Sequence, residues 1–135
     1  REATGEFPLR MTPLNFDVSL PIGQIGDFAE LCRQRLEQRW PGNRSVYFGH
    51  IGDSNLHLTV DRDSLPQPAP VLEIEELVYT AIGELGGSVS AEHGIGLLKR
   101  DFLHHSVSHE ARQAMQQLKD CYDPNGILNP GKILG

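Results

Sequence analysis

Long hydrophobic runs are missing from this 135-residue chain, and no apolar stretch nears the roughly 18 residues of a membrane span. Cysteine is scarce: Cys32 and Cys121 are the only two, and their separation excludes CxxC chemistry. Both sit on the apolar faces of expected helices, as buried free thiols of a reducing compartment would. Basic residues are outnumbered, with 12 Lys and Arg against 18 Asp and Glu and a net charge of −6. That balance excludes a broad nucleic-acid footprint, which needs concentrated Lys and Arg. No signal-peptide pattern, internal repeat or low-complexity tract is visible. What remains is ordinary globular composition, 39% hydrophobic and 22% charged, in a length that suits one domain able to bury a core without staples. The chain opens at Arg1 in sequence that reads as mid-domain. A piece of a longer protein, incomplete at its N-terminus, is therefore expected, with a cytoplasmic location and the full-length protein peripheral to a membrane.

After an irregular polar start over residues 1–13, Phe16, Val18 and Leu20 alternate with polar residues. That is a half-buried strand stopped by Pro21. A helix is expected from Ile25 to Gln38, with Phe28, Leu31, Cys32 and Leu36 on one face, ended by Trp40-Pro41-Gly42-Asn43. Ser45–Phe48 and Leu56–Val60 are β-prone runs flanking Gly52-Asp53-Ser54-Asn55, a hairpin pattern. Beyond Pro66–Pro70, the stripe Val71, Ile74, Leu77, Val78, Ala81, Ile82 and Leu85 predicts a helix stopped by Gly86-Gly87. Ser88–Ser90 reads as a short strand and Leu97–Phe102 as a helical turn. A last helix N-capped by Ser108 is expected to carry Ala111, Ala114, Met115, Leu118 and Cys121 inward. The order β-α-β-β-α-β-α predicts an α+β domain of ferredoxin-like type, an antiparallel sheet with helices packed on one face.

The chemistry concentrates in two glycine-rich segments. If Asp53 and Ser54 are the central turn residues, His50 faces His57 across the hairpin, with Cβ atoms about 4.5–5.5 Å apart. Two imidazoles so placed can reach one metal ion at about 2.0–2.1 Å. Each could equally be a strand-end histidine bonded to backbone. Glu92, in Ala91-Glu92-His93-Gly94-Ile95-Gly96, is the third candidate ligand, unless it merely caps a loop. Two His and one Glu with an open position is the ligand logic of a catalytic metal, and Zn²⁺, Mn²⁺ or Fe²⁺ would suit it, zinc foremost. His93 beside such a site is suited to take a proton near neutral pH. His104, His105 and His109 read as solvated surface.

Three segments in order, Gly49-His50-Ile51-Gly52-Asp53-Ser54-Asn55-Leu56-His57, then Gly86–Gly96 with Lys99, then Asp123-Pro124-Asn125-Gly126-Ile127-Leu128-Asn129-Pro130-Gly131-Lys132, resemble the C-terminal domain of the FAD-linked oxidases. That family includes D-lactate dehydrogenase, glycolate oxidase and D-2-hydroxyglutarate dehydrogenase, within the vanillyl-alcohol oxidase fold. The resemblance runs from about residue 14 to the end. It implies that residues 1–135 are the substrate or cap domain of a larger flavoprotein whose FAD-binding domain lies upstream, outside this chain. It implies oxidation of a 2-hydroxy acid to a 2-oxo acid. Metal on His50, His57 and Glu92 would lower the hydroxyl pKa, His93 would take the proton, and hydride would pass to the flavin. By similarity Asn129 and Lys132 lie against the flavin, and Asn15 and Thr59 stand at substrate-binding positions. The fragment alone is expected to be inactive. The implied partners are a small 2-hydroxy acid, the upstream domain and an unspecified electron acceptor, with homodimer formation open and nucleic acid excluded.

This sequence departs from the family pattern where Ser54 replaces a turn glycine, Asn15 a lysine, and Thr59 the asparagine usual in enzymes acting on dicarboxylates. Arg1 and Thr4 fall where a substrate-binding loop would lie. Two other readings stay open from the residues alone: a free-standing metal-dependent hydrolase, and a non-catalytic ligand-binding or dimerisation module.

Overall fold

A computed structural model describes residues 12–134. Arg1 and Thr4 lie outside the described residues. Three strands, β1 (Pro13–Ser19), β2 (Ser45–His50) and β3 (Asn55–Asp61), form one antiparallel sheet in the order β1-β3-β2. Three helices, α1 (Ile25–Arg39), α2 (Val71–Glu84) and α3 (His109–Tyr122), complete the α+β architecture. The expected fourth strand is reduced to a single bridge, Ser88 to Ser19, on the free edge of β1. Its place preserves the ferredoxin-like order. A Cβ at Gly87 would lie 2.6 Å from the Ser19 carbonyl oxygen, so only glycine lets the chain approach β1 this closely.

Strand alternation divides the sheet into two faces. Phe16, Val18, Leu56, Leu58 and Val60 point to the core and are buried against Phe28, Cys32 and Leu36 of α1 and Ile74, Val78 and Ile82 of α2. Phe28, at 0% exposure, anchors this layer; its loss would cost about 3–5 kcal/mol. The opposite face carries Asn15, Asp17, Asn55, His57, Thr59 and Asp61, set by the same alternation. Helices α1 and α2 cover one face of the sheet, and the polar face is left for chemistry.

The last helix departs from expectation. Ser108 does cap it, accepting from the Ala111 N–H at 3.2 Å. Yet none of its residues is buried: Leu118 is 61% exposed, and Cys121 is exposed rather than buried. An apolar stripe records that one side of a helix avoids water, not that this chain supplies the cover. His105 differs the other way. Its side chain is only 13% exposed, packed against Gly83 and 3.7 Å from Glu76, and burial, then the neighbouring His104, lowers its pKa. His104 and His109 are exposed.

Candidate functional site: a cavity on the polar face of the sheet

The register of β2 on β3 decides which side chains meet. Phe48 lies opposite His57, and His50 lies opposite Asn55 at the strand end. The expected His50–His57 pair is therefore not formed. A 3-10 turn at Ile51–Asp53 followed by Ser54, at φ 58°, joins the strands in place of a two-residue turn. The longer connection slips the register by two residues. A two-residue slip keeps both histidines on one face but moves them from opposed to diagonal positions. The Phe48 ring instead stacks on His57, centroids 5.1 Å apart.

A cavity of about 620 Å³ opens on this face, lined by Asn15, Asp17, His57 and Thr59 from the sheet. His93 and Lys99 come from the following loop, and Phe48, Ile95, Leu97 and Leu98 give apolar wall. Thr59 donates to Asn15 Oδ1 at 2.9 Å, so the amide's NH₂ remains available to a ligand. Four expected site residues, His57, His93, Asn15 and Thr59, are thus brought together. His50 does not line the cavity and is exposed. Glu92 is also exposed, and its Oε1 accepts from Asn55 Nδ2 at 2.5 Å.

Sequence reasoning missed the residue that organises the loop. Asp17 is 7% exposed, and its Oδ2 accepts from the backbone N–H groups of Glu92 at 2.9 Å and His93 at 3.1 Å. Its backbone oxygen accepts from Lys99 Nζ at 3.3 Å. Lys99 also donates to Ser90 Oγ at 3.2 Å, and Ser90 in turn bonds the His93 carbonyl. Burial alone would raise the Asp17 pKa, but the two N–H groups, then the Lys99 and His93 charges, outweigh it and hold the carboxyl below its ordinary value. Desolvation lowers the Lys99 pKa, with Asp17 opposing. The signal was available, because Asp is disfavoured in strand interiors and Asp17 shares the polar face with Asn15.

The donor set His50, His57 and Glu92 has suitable chemistry for a divalent metal, yet its geometry does not fit one. Among the described residues no three His, Cys, Asp or Glu side chains gather to hold an ion. The register slip and the Asn55–Glu92 bond account for that. Asn129 and Lys132 are exposed in a turn next to the cavity wall: Ile133 N–H donates to the Gly96 carbonyl at 2.9 Å, and Arg100 Nη1 to the Gly131 carbonyl at 3.0 Å.

Residues 6–133 match the family model described as FAD linked oxidases, C-terminal domain. D-2-hydroxyglutarate dehydrogenase of Stutzerimonas stutzeri (strain A1501) is 36% identical over 98% of this chain and 30% of its own length. The mitochondrial D-2-hydroxyglutarate dehydrogenase of Rattus norvegicus is 43% identical over 88% of the chain and 22% of its own length. A putative mitochondrial D-lactate dehydrogenase of Schizosaccharomyces pombe is 38% identical over 88% of the chain and 24% of its own length. The chain thus spans less than a third of each of these relatives. With a match over nearly its whole length, the chain belongs to the family of FAD-linked oxidases, as their C-terminal domain.

Proposed function

We propose that this chain is the substrate-side part of an FAD-dependent 2-hydroxyacid dehydrogenase, converting a 2-hydroxy acid to the 2-oxo acid. The observation that carries the reading is the meeting of His57, His93, Lys99, Asn15 and Thr59 around one cavity on the polar sheet face. Bound FAD supplies the acceptor for the hydride that leaves C2. His93, on the cavity wall, takes the hydroxyl proton as the carbonyl forms. Lys99 is the one lysine or arginine on that wall among the described residues. Beyond its bonds to the Asp17 carbonyl and Ser90 Oγ its ammonium has a third N–H for the substrate carboxylate, and the Asn15 NH₂ adds a neutral donor. Phe48, Ile95, Leu97 and Leu98 give the reacting carbon an apolar wall. A divalent metal on His50, His57 and Glu92 would polarise the hydroxyl, but among the described residues those side chains do not gather.

Names of the relatives point to D-2-hydroxyglutarate and D-lactate as first substrates to try. A cytoplasmic location belongs to the same proposal, although two of these relatives are named as mitochondrial; no described helix is long and apolar enough to cross a membrane. The test is His93→Ala in the full-length protein, assayed with both acids and a dye acceptor. Turnover should fall on the order of 10²–10⁴-fold while the flavin spectrum is retained. Unchanged turnover removes His93 from the chemistry, and no turnover of any 2-hydroxy acid by the parent protein removes the reading.

A further inference from the structure

We propose that Asp17 is a positioning residue that selects which nitrogen His57 presents to the cavity and docks the peptide bearing His93 onto the sheet. The inference rests on the dehydrogenase reading only for its activity measurement.

The two carboxylate oxygens of Asp17 have different surroundings. Oδ2 is spoken for by the N–H groups of Glu92 and His93. Oδ1 is buried without a hydrogen bond, and His57 Nδ1 stands 3.7 Å from it. Asp17 and His57 are direct cross-strand partners in β1 and β3, so sheet register itself holds the two side chains together. A buried carboxylate oxygen with one lone-pair site unanswered is costly. A proton on Nδ1, directed at Oδ1, relieves that cost. The imidazole then offers Nε2 with its lone pair to the cavity, ready to accept a proton or bind an electrophile. Phe48, stacked on the opposite side of the ring at 5.1 Å between centroids, opposes rotation out of this orientation. The other charged or titratable groups around Asp17 are Lys99, which contacts its backbone oxygen, His93 and Glu92, which contact it through main-chain N–H groups, and the buried Tyr79, whose phenol feels the Asp17 charge.

Asp17→Asn makes the idea sharp. The amide oxygen can take over the two backbone N–H bonds, which leaves its NH₂ facing Nδ1. Two donors cannot share that space, so the His57 proton must move to Nε2, the wrong side for the cavity.

The experiment uses the full-length protein labelled with ring-¹⁵N histidine, at about pH 9 to stand above the ordinary imidazole range. His57, assigned by comparison with His57→Ala, should carry its proton on Nδ1 in the parent and on Nε2 in Asp17→Asn. Turnover in Asp17→Asn should fall about 10- to 100-fold, as loss of an orienting partner does, with flavin content kept, and should fall no further when Asp17→Asn is added to His57→Ala. An Nε2 proton in the parent protein overturns the proposal. So does a full multiplicative loss in the double variant. Should Asp17→Asn fail to fold, the parent tautomer still decides. If the parent oxidises no 2-hydroxy acid, the dehydrogenase reading fails while the ¹⁵N result stands independently.

Discussion

Phe48 stacks on His57 across β2 and β3, in the place that a two-residue turn would have given to His50. The relationship bears directly on metal binding. Zn²⁺ titrated calorimetrically into this chain should bind more weakly than about 1 μM, whereas preformed sites reach nanomolar affinity or better. Submicromolar binding lost in both His57→Ala and Glu92→Gln would show the three candidate ligands assembling and would refute the pairing of Phe48 with His57.

Lys99 offers a separate handle on substrate recognition. Lys99→Met in the full-length protein should raise KM for 2-hydroxy acids about tenfold or more, since a charge-assisted hydrogen bond contributes about 1.5–3 kcal/mol. Lys99→Arg should recover part of the loss. A change confined to kcat, with KM untouched, would remove Lys99 from carboxylate binding.

Ser54 holds φ at 58° between β2 and β3, a conformation glycine adopts without the Cβ penalty. Ser54→Gly should therefore raise stability by about 0.5–1 kcal/mol in urea unfolding. A loss of stability would mean that the serine side chain matters more than the backbone strain.

Asp61 is fully buried, at 0% exposure, and bonds Arg44 and the Asp63 N–H, the latter at 3.1 Å. Burial alone would raise its pKa, but Arg44 and the N–H donors hold it below the usual carboxylate value. A lowered folded-state value means that the stabilisation is present above the unfolded pKa and disappears as pH falls through the folded one. Melting temperature followed from neutral pH to about pH 2 should fall more steeply in the parent than in Asp61→Asn. Parallel curves would show that Asp61 takes no part in acid unfolding.

Leu118 distinguishes the two views of α3. As a core residue its change to Ser would cost about 2–5 kcal/mol; at 61% exposure the cost in this chain should stay within about 0.5 kcal/mol. Urea denaturation separates these outcomes cleanly.

The elements themselves were legible because their causes are local. The stripe Phe28, Cys32, Leu36 placed α1, Ser108 placed the start of α3, and Phe16-Asp17-Val18 alternation placed β1 with its core face correct. The cavity residues His57 and His93 were legible from their glycine-rich segments, and Asn15 and Thr59 through the resemblance to the FAD-linked oxidases. Three features were not. The His50–His57 pairing depended on how many residues the connection uses, and a turn with Ser54 at positive φ competes closely with the two-residue alternative. The exposure of α3 depended on what packs against it, which hydrophobic periodicity does not encode. Asp17 carried only the signal of an Asp inside a strand; its role was set when residues 92 and 93, distant along the chain, came to its carboxylate. Sequence determined the three helices, the strands β1 to β3 and the polar face, since each follows from neighbours a few residues apart. Tertiary structure alone decided that Phe48 and not His50 stands opposite His57 across the hairpin, because cross-strand register is a contest between whole loops and sheets rather than a property of either residue.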